Sequence, residues 1–212
     1  MQAYISRPDG TPRGGIIVIQ EAFGVTGFIR SVADRFAQEG FLAIAPEYFH
    51  RTAAAGFEAA YGDYPSVMPH MEGLTLDGQR ADAHAAFDWL KKEGVKEVSA
   101  LGFCMGGRAT FMANSSLPLK AAVSFYGGGM DQLLELVPKQ HAPLLLLWGE
   151  KDAHITPDKR RIVLDAFDAA KKSYVDVVFS DADHAFFRDV DPSKYHQRSA
   201  KLAWPLVLEF LK

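Results

Sequence analysis

The sequence predicts an α/β protein with a mostly parallel sheet and helices on both of its faces. Two observations predict this class. Short β-rich runs alternate with longer helical stretches, and most of those runs are continuously apolar, as strands covered on both sides require. The 212 residues are 48% hydrophobic and 23% charged, ordinary for one globular domain spanning 1–212, with no internal repeat or low-complexity linker.

The elements follow in order. The first strong strand is expected at 15–20. A helix at 28–39 follows, with Phe28, Val32, Phe36 and Ala37 at helical spacing and Gly40 as its stop. A strand at 42–46 leads into residues 49–73, rich in Gly, Pro, Tyr and His, which fit no simple strand or long helix. They are expected to form a surface excursion over one end of the sheet, where ligand sites of such folds gather. A helix at 74–92, a strand at 98–103, a helix at 107–115 and strands at 121–126 and 144–149 continue the alternation. Thr156 and Pro157 suit the N-cap and first turn of a helix at 157–172. A strand at 175–179 and a helix at 192–212 end the chain.

Composition narrows function. With 23 basic and 26 acidic residues the formal charge is −3, so no electrostatic footprint for nucleic acid is expected. No apolar stretch approaches the roughly 20 residues that span a bilayer, and residues 1–10 lack the apolar core of a secretory signal. A single Cys excludes an internal disulfide and points to the cytoplasm, where a lone thiol is a candidate nucleophile. No His/Cys cluster has metal-ligand spacing, and no metal or cofactor is expected.

The most informative segment is Gly102-Phe103-Cys104-Met105-Gly106-Gly107, at a strand-to-helix junction. It has the G-x-S-x-G spacing of a nucleophile elbow with Cys in place of Ser. A residue held at the tip of such a turn is strained, and side chains two positions away on either side would collide. Gly107 allows the new helix to pack closely on the sheet, and that helix's N-terminus favours a thiolate at Cys104.

A thiol nucleophile needs a base, and the base needs an orienting acceptor. In elbow-bearing folds these follow in the order acid, then His. Asp152 lies in the loop after strand 144–149 and His184 in the loop after strand 175–179, so Asp152 is expected as orienter and His184 as base. His154 fits a pocket rim or the surface better, while Asp181 and Asp183 are placed to tune or solvate His184. His50, His70, His84, His141 and His196 have no elbow-compatible placement. The loop after the first strand, with the residue after the nucleophile, supplies oxyanion donors, here the amides of Ala22 and Met105. Glu21 beside the thiol would raise its pKa or accept its proton; an exposed strand-end carboxylate is the plainer alternative.

With Gln20-Glu21, the Gly102–Gly107 elbow, Asp152 and His184 in place, the chain resembles the dienelactone hydrolase (carboxymethylenebutenolidase) family nearly end to end. The resemblance implies an α/β-hydrolase fold without a large cap and a Cys104–His184–Asp152 triad. It also implies hydrolysis of a carboxylate-bearing cyclic enol lactone to an open-chain keto acid such as maleylacetate. In the family, the Glu matching Glu21 holds the resting thiol and takes its proton when substrate binds. Arg188 falls where the family grips the substrate carboxylate, a task suited to its bidentate fork. A second such Arg is expected in the family; Arg51 and Arg80 are candidates. Phe23, Tyr126 and Trp148 are candidate pocket aromatics, and Phe186-Phe187 add bulk beside His184. A broader carboxylesterase and a non-catalytic ligand-binding scaffold are the alternatives. The expected partner is a small ester or lactone, with the chain a monomer or small homo-oligomer.

Overall fold

The computed structural model describes residues 1–212. Seven strands form one sheet in the order β1-β3-β2-β4-β5-β6-β7. They are β1 (Ala3–Ser6), β2 (Gly14–Ile19), β3 (Phe41–Pro46), β4 (Val98–Phe103), β5 (Ala122–Phe125), β6 (Leu144–Gly149) and β7 (Tyr174–Phe179). The helices are α1 (Gly27–Gln38), α2 (Tyr64–Glu72), α3 (Leu76–Lys92), α4 (Met105–Asn114), α5 (Pro157–Ala169) and α6 (Gln197–Phe210), with two 3-10 turns between β5 and β6. This is the α/β-hydrolase architecture.

All pairings are parallel except that of β1 with β3. Every residue of β2 through β6 is buried, which is why those strands read as nearly continuous apolar runs, broken only by the buried Ser99 and Ser124. At the edge, β7 exposes Val175 and Val178 and is only partly apolar. Three elements differ from expectation. Strand β1 is a four-residue antiparallel edge strand, too short to show periodicity. The excursion 49–73 contains α2, started by Asp63, whose side chain accepts from the Ser66 amide. Helix α6 begins at Gln197 rather than at 192, because residues 188–195 are turns built around Asp191.

Register brings the loops of interest to one edge. Ile19 pairs with Gly102, Gly102 with Ser124, Phe125 with Leu147 and Gly149 with Phe179. The chain therefore leaves β2, β4, β5, β6 and β7 side by side at the carboxyl end of the sheet, where open α/β sheets place their ligands. Neighbouring residues of β4 point to opposite faces. Phe103 faces α1, with its ring 5.0 Å from Phe28, while Gly102 faces α4 near Thr110. Helices α1 and α6 meet through Phe36 and Trp204, whose rings lie 4.8 Å apart. On the other face α3 touches α4, and α4 meets α5 through Phe111 and Phe167.

Directly beneath the carboxyl edge lies an aromatic cluster. Phe103 stacks on Phe125 at 4.9 Å and on Phe187 at 5.8 Å. Phe186 and Phe187 are thus core rather than pocket wall. The excursion is fastened to the rest by polar clasps. Buried Asp82 of α3 accepts both Arg51 guanidinium nitrogens, at 2.6 and 2.8 Å, and pairs with His50 at 3.0 Å. Arg30 of α1 pairs with Glu58, and Tyr61 bonds to Thr26, the N-cap residue just before α1.

Phe103→Ala removes a ring with no exposed surface and contacts on both sides. It is expected to cost about 3–5 kcal/mol, read as a lower urea midpoint with an unchanged m-value.

Candidate active site

Cys104 stands at the junction of β4 and α4 with φ 56° and ψ −120°, a conformation L-residues adopt only under strain. The surrounding packing enforces it. A Cβ on Gly102 would lie 2.1 Å from the Gly106 carbonyl oxygen, and a Cβ on Gly106 would lie 2.4 Å from the carbonyls of Ile19 and Gln20. Only glycine at both positions lets the end of β4, the start of α4 and the end of β2 come together. The Cys104 amide donates to the Phe125 carbonyl at 3.0 Å, tying the turn to β5.

The loops after β6 and β7 meet beside it. His184 Nδ1 and Asp152 Oδ2 are 2.6 Å apart, and the other Asp152 oxygen accepts the His154 amide at 2.8 Å. Asp152 is nearly fully buried. Burial alone would raise its pKa, but the hydrogen bond from His184 and the His154 amide outweigh it and hold the carboxyl below its ordinary value. Burial likewise opposes charge on His184, yet the Asp152 hydrogen bond, followed by interaction with Cys104, raises the imidazole pKa to about 10. His184 and Asp152 are therefore brought together, with Cys104 near enough to act on the imidazole. The loop is held from behind by Asp183, which accepts the His184 amide and the Lys194 ammonium. His154 is exposed at the rim, its ring edge-on and 5.7 Å from that of His184.

Glu21 follows β2, whose end packs against the first turn of α4 at Gly106. It is buried, which removes the exposed strand-end alternative. Its Oε1 accepts from Arg188 Nη1 at 3.2 Å, while Oε2 has no partner. Burial pushes its pKa up to about 7, against the opposing pull of Arg188 and His184. Arg188 is buried too, with Nη2 bound to Asp191 at 2.8 Å and its guanidinium 4.1 Å above the Tyr61 ring. Asp191 accepts the Ser193 amide and hydroxyl through its other oxygen. Phe23 lies edge-on to Tyr61 at 5.1 Å. Tyr126 is buried with its ring 5.0 Å from His184. The amides of Ala22 and Met105, both buried beside the elbow, donate to no group of the chain.

Three expectations are corrected. Arg51 is committed to Asp82 and joins none of these residues. Arg80 pairs with Asp77 on the exposed side of α3. Trp148 is core, its indole nitrogen donating to Asp176 at 2.7 Å. Asp191 and Tyr61 did not emerge from the sequence. Asp191 had a weak signal in its i+3 spacing from Arg188; Tyr61 had none.

The model of the dienelactone hydrolase family matches residues 1–212. The chain belongs to the dienelactone hydrolase family. Among relatives, an Escherichia coli strain K12 protein, provisionally named a carboxymethylenebutenolidase, is 36% identical over 100% of this chain and 82% of its own length. A Klebsiella pneumoniae crystal structure, provisionally described as a dienelactone hydrolase, superposes with a TM-score of 0.90 at 35% identity, covering 99% of this chain and 91% of that one. A dienelactone hydrolase-like promiscuous phosphotriesterase from metagenomic libraries shares the fold, with a TM-score of 0.87 at 23% identity over 99% and 90% of the two chains. As a member of this family, the chain is a carboxylic ester hydrolase acting on a small ester or lactone. No helix is long and apolar enough to cross a membrane.

The sign of the His184 shift gives a pH test. A raised imidazole pKa contributes stability that is fully present below the unfolded value of 6.5 and is lost as pH rises through about 10. The melting-temperature advantage of wild type over His184→Gln is therefore expected to be largest near pH 6 and to shrink steadily towards pH 10.

Proposed function

We propose that the chain is a cytoplasmic, cysteine-dependent hydrolase, acting as one domain, that opens a carboxylate-bearing enol lactone of the dienelactone type through a thioester. The observation that carries this reading is the 2.6 Å contact between Asp152 and His184 next to a thiol on a glycine-flanked elbow.

The thiol proton passes to Glu21, whose pKa of about 7 lets it both take and release a proton at neutral pH. The sulfur then attacks the lactone carbonyl, and the amides of Ala22 and Met105 hold the developing oxyanion, such a donor being worth about 3 kcal/mol of barrier. The carbonyl re-forms as the ring C–O bond breaks. The enolate so released stays tethered to the acyl chain and takes a proton at carbon from the His184 imidazolium, giving the ketone and leaving the imidazole neutral. His184, oriented by Asp152, draws a proton from water as it attacks the thioester. Collapse expels the Cys104 sulfur and leaves the keto acid. Arg188 attracts the substrate carboxylate.

One observation favours a second reading, a broader carboxylesterase preferring uncharged acyl groups: Arg188 already carries two carboxylate partners, Glu21 and Asp191. Paired substrates with and without a carboxylate separate the two. Arg188→Ala is expected to cut kcat/KM at least tenfold more on the charged member; equal losses on both favour the broader esterase. Cys104→Ala is expected to lose at least a thousandfold in turnover while retaining its circular dichroism spectrum and melting temperature. Wild type quenched in acid is expected to carry a Cys104 thioester by mass spectrometry. Undiminished hydrolysis by the Ala variant overturns the nucleophile.

A further inference from the structure

Tyr126 combines three features that nothing in the proposed chemistry uses. It is not glycine yet has φ 39°, one of four such residues in the chain, and another of them is Cys104. A bulky side chain in that region is strained, and such strain persists only where the surroundings over-determine it. Here the Tyr126 amide donates to the Leu147 carbonyl at 2.8 Å, and Phe186 packs on the ring at 5.4 Å. The turn sends the phenol away from the core of β5 and under the carboxyl edge, beside His184. There the hydroxyl is buried and makes no hydrogen bond.

Arg188 Nε is a second buried donor without a partner in the same neighbourhood, while the free Oε2 of Glu21 is the acceptor left for the thiol proton. Buried polar groups are paired in the great majority of cases, so two unpaired donors point to an acceptor ligand that completes them. Burial, followed by the nearby Glu21 charge, raises the phenol pKa well above its ordinary value, so Tyr126 remains a protonated donor throughout the working range. The two other arginines offered by the sequence, Arg51 and Arg80, are bound to Asp82 and Asp77 and supply no second cation here.

We propose that the Tyr126 hydroxyl is a specificity-determining donor that, together with Arg188, holds the carboxylate of the substrate acid, a neutral phenol serving where a second cation is absent. The proposal rests on the carboxylate-bearing substrate class given above and adds the group that recognises it.

The test titrates maleate, a small cis-dicarboxylate that is not a substrate, into wild type and Tyr126→Phe by calorimetry, alongside melting curves. Phe preserves the ring and removes only the oxygen. The expected result is at least tenfold weaker maleate binding with a melting temperature equal to or above that of wild type, because an unpaired buried hydroxyl has been deleted. Equal affinity overturns the proposal, as does failure of wild type to bind maleate. A lower melting temperature overturns it as well, since the hydroxyl would then have a structural partner. The nucleophile reading is judged separately by Cys104-dependent turnover, so either can fail while the other stands.

Discussion

The arrangement depends on one steric constraint, the contact of three backbone segments around the sulfur. The end of β2, the end of β4 and the first turn of α4 approach so closely that neither Gly102 nor Gly106 has room for a methyl group. That crowding fixes the left-handed backbone of Cys104, and with it the direction of the thiol. The same closeness brings Glu21 and Ala22, which follow β2, alongside the sulfur. The sheet register then delivers Asp152 and His184 to the same edge without further adjustment.

Around that point the protein balances charge in a confined space. Glu21 and Asp191 face Arg188 from two sides, and Asp152 faces His184. Removing such groups from water is costly, and the cost is offset only where partners are well placed. Asp152 has both oxygens occupied and stays ionised, whereas Glu21 has one oxygen without a partner and is held near neutrality. Two carboxylates within one site thus have opposite tendencies for a visible reason, as proton-transfer chemistry requires.

Much of this was legible in the sequence, and the boundary of legibility is physical. The elbow could be read because its glycine spacing is local, and strands β2 to β6 because burial on both faces leaves an apolar signature. Asp152 and His184 were reachable because chain order and strand ends locate them. Strand β1 escaped because four half-buried residues carry no period, and α2 because Pro65 and Pro69 stand in a helix that buries only Val67. The burial of Glu21 depends on a partner 167 positions away, a distance that no local pattern spans. Arg51 misled because a free-looking cation in an irregular excursion gives no hint that Asp82 of α3 awaits it.

The clasps of the excursion have an evolutionary corollary. Its roof over Phe23 and Arg188 is held by side-chain bonds, Tyr61 to Thr26, Glu58 to Arg30 and Asp82 to Arg51, and by a backbone bond from Ala59 to Phe23, and adds no strand to the sheet beneath. The roof is thus separate from the sheet, whose carboxyl edge holds the sulfur, His184, Tyr126 and Arg188 together. Exchange of that roof can reshape the space above the acyl group while the foundation, and the sulfur standing on it, stays untouched.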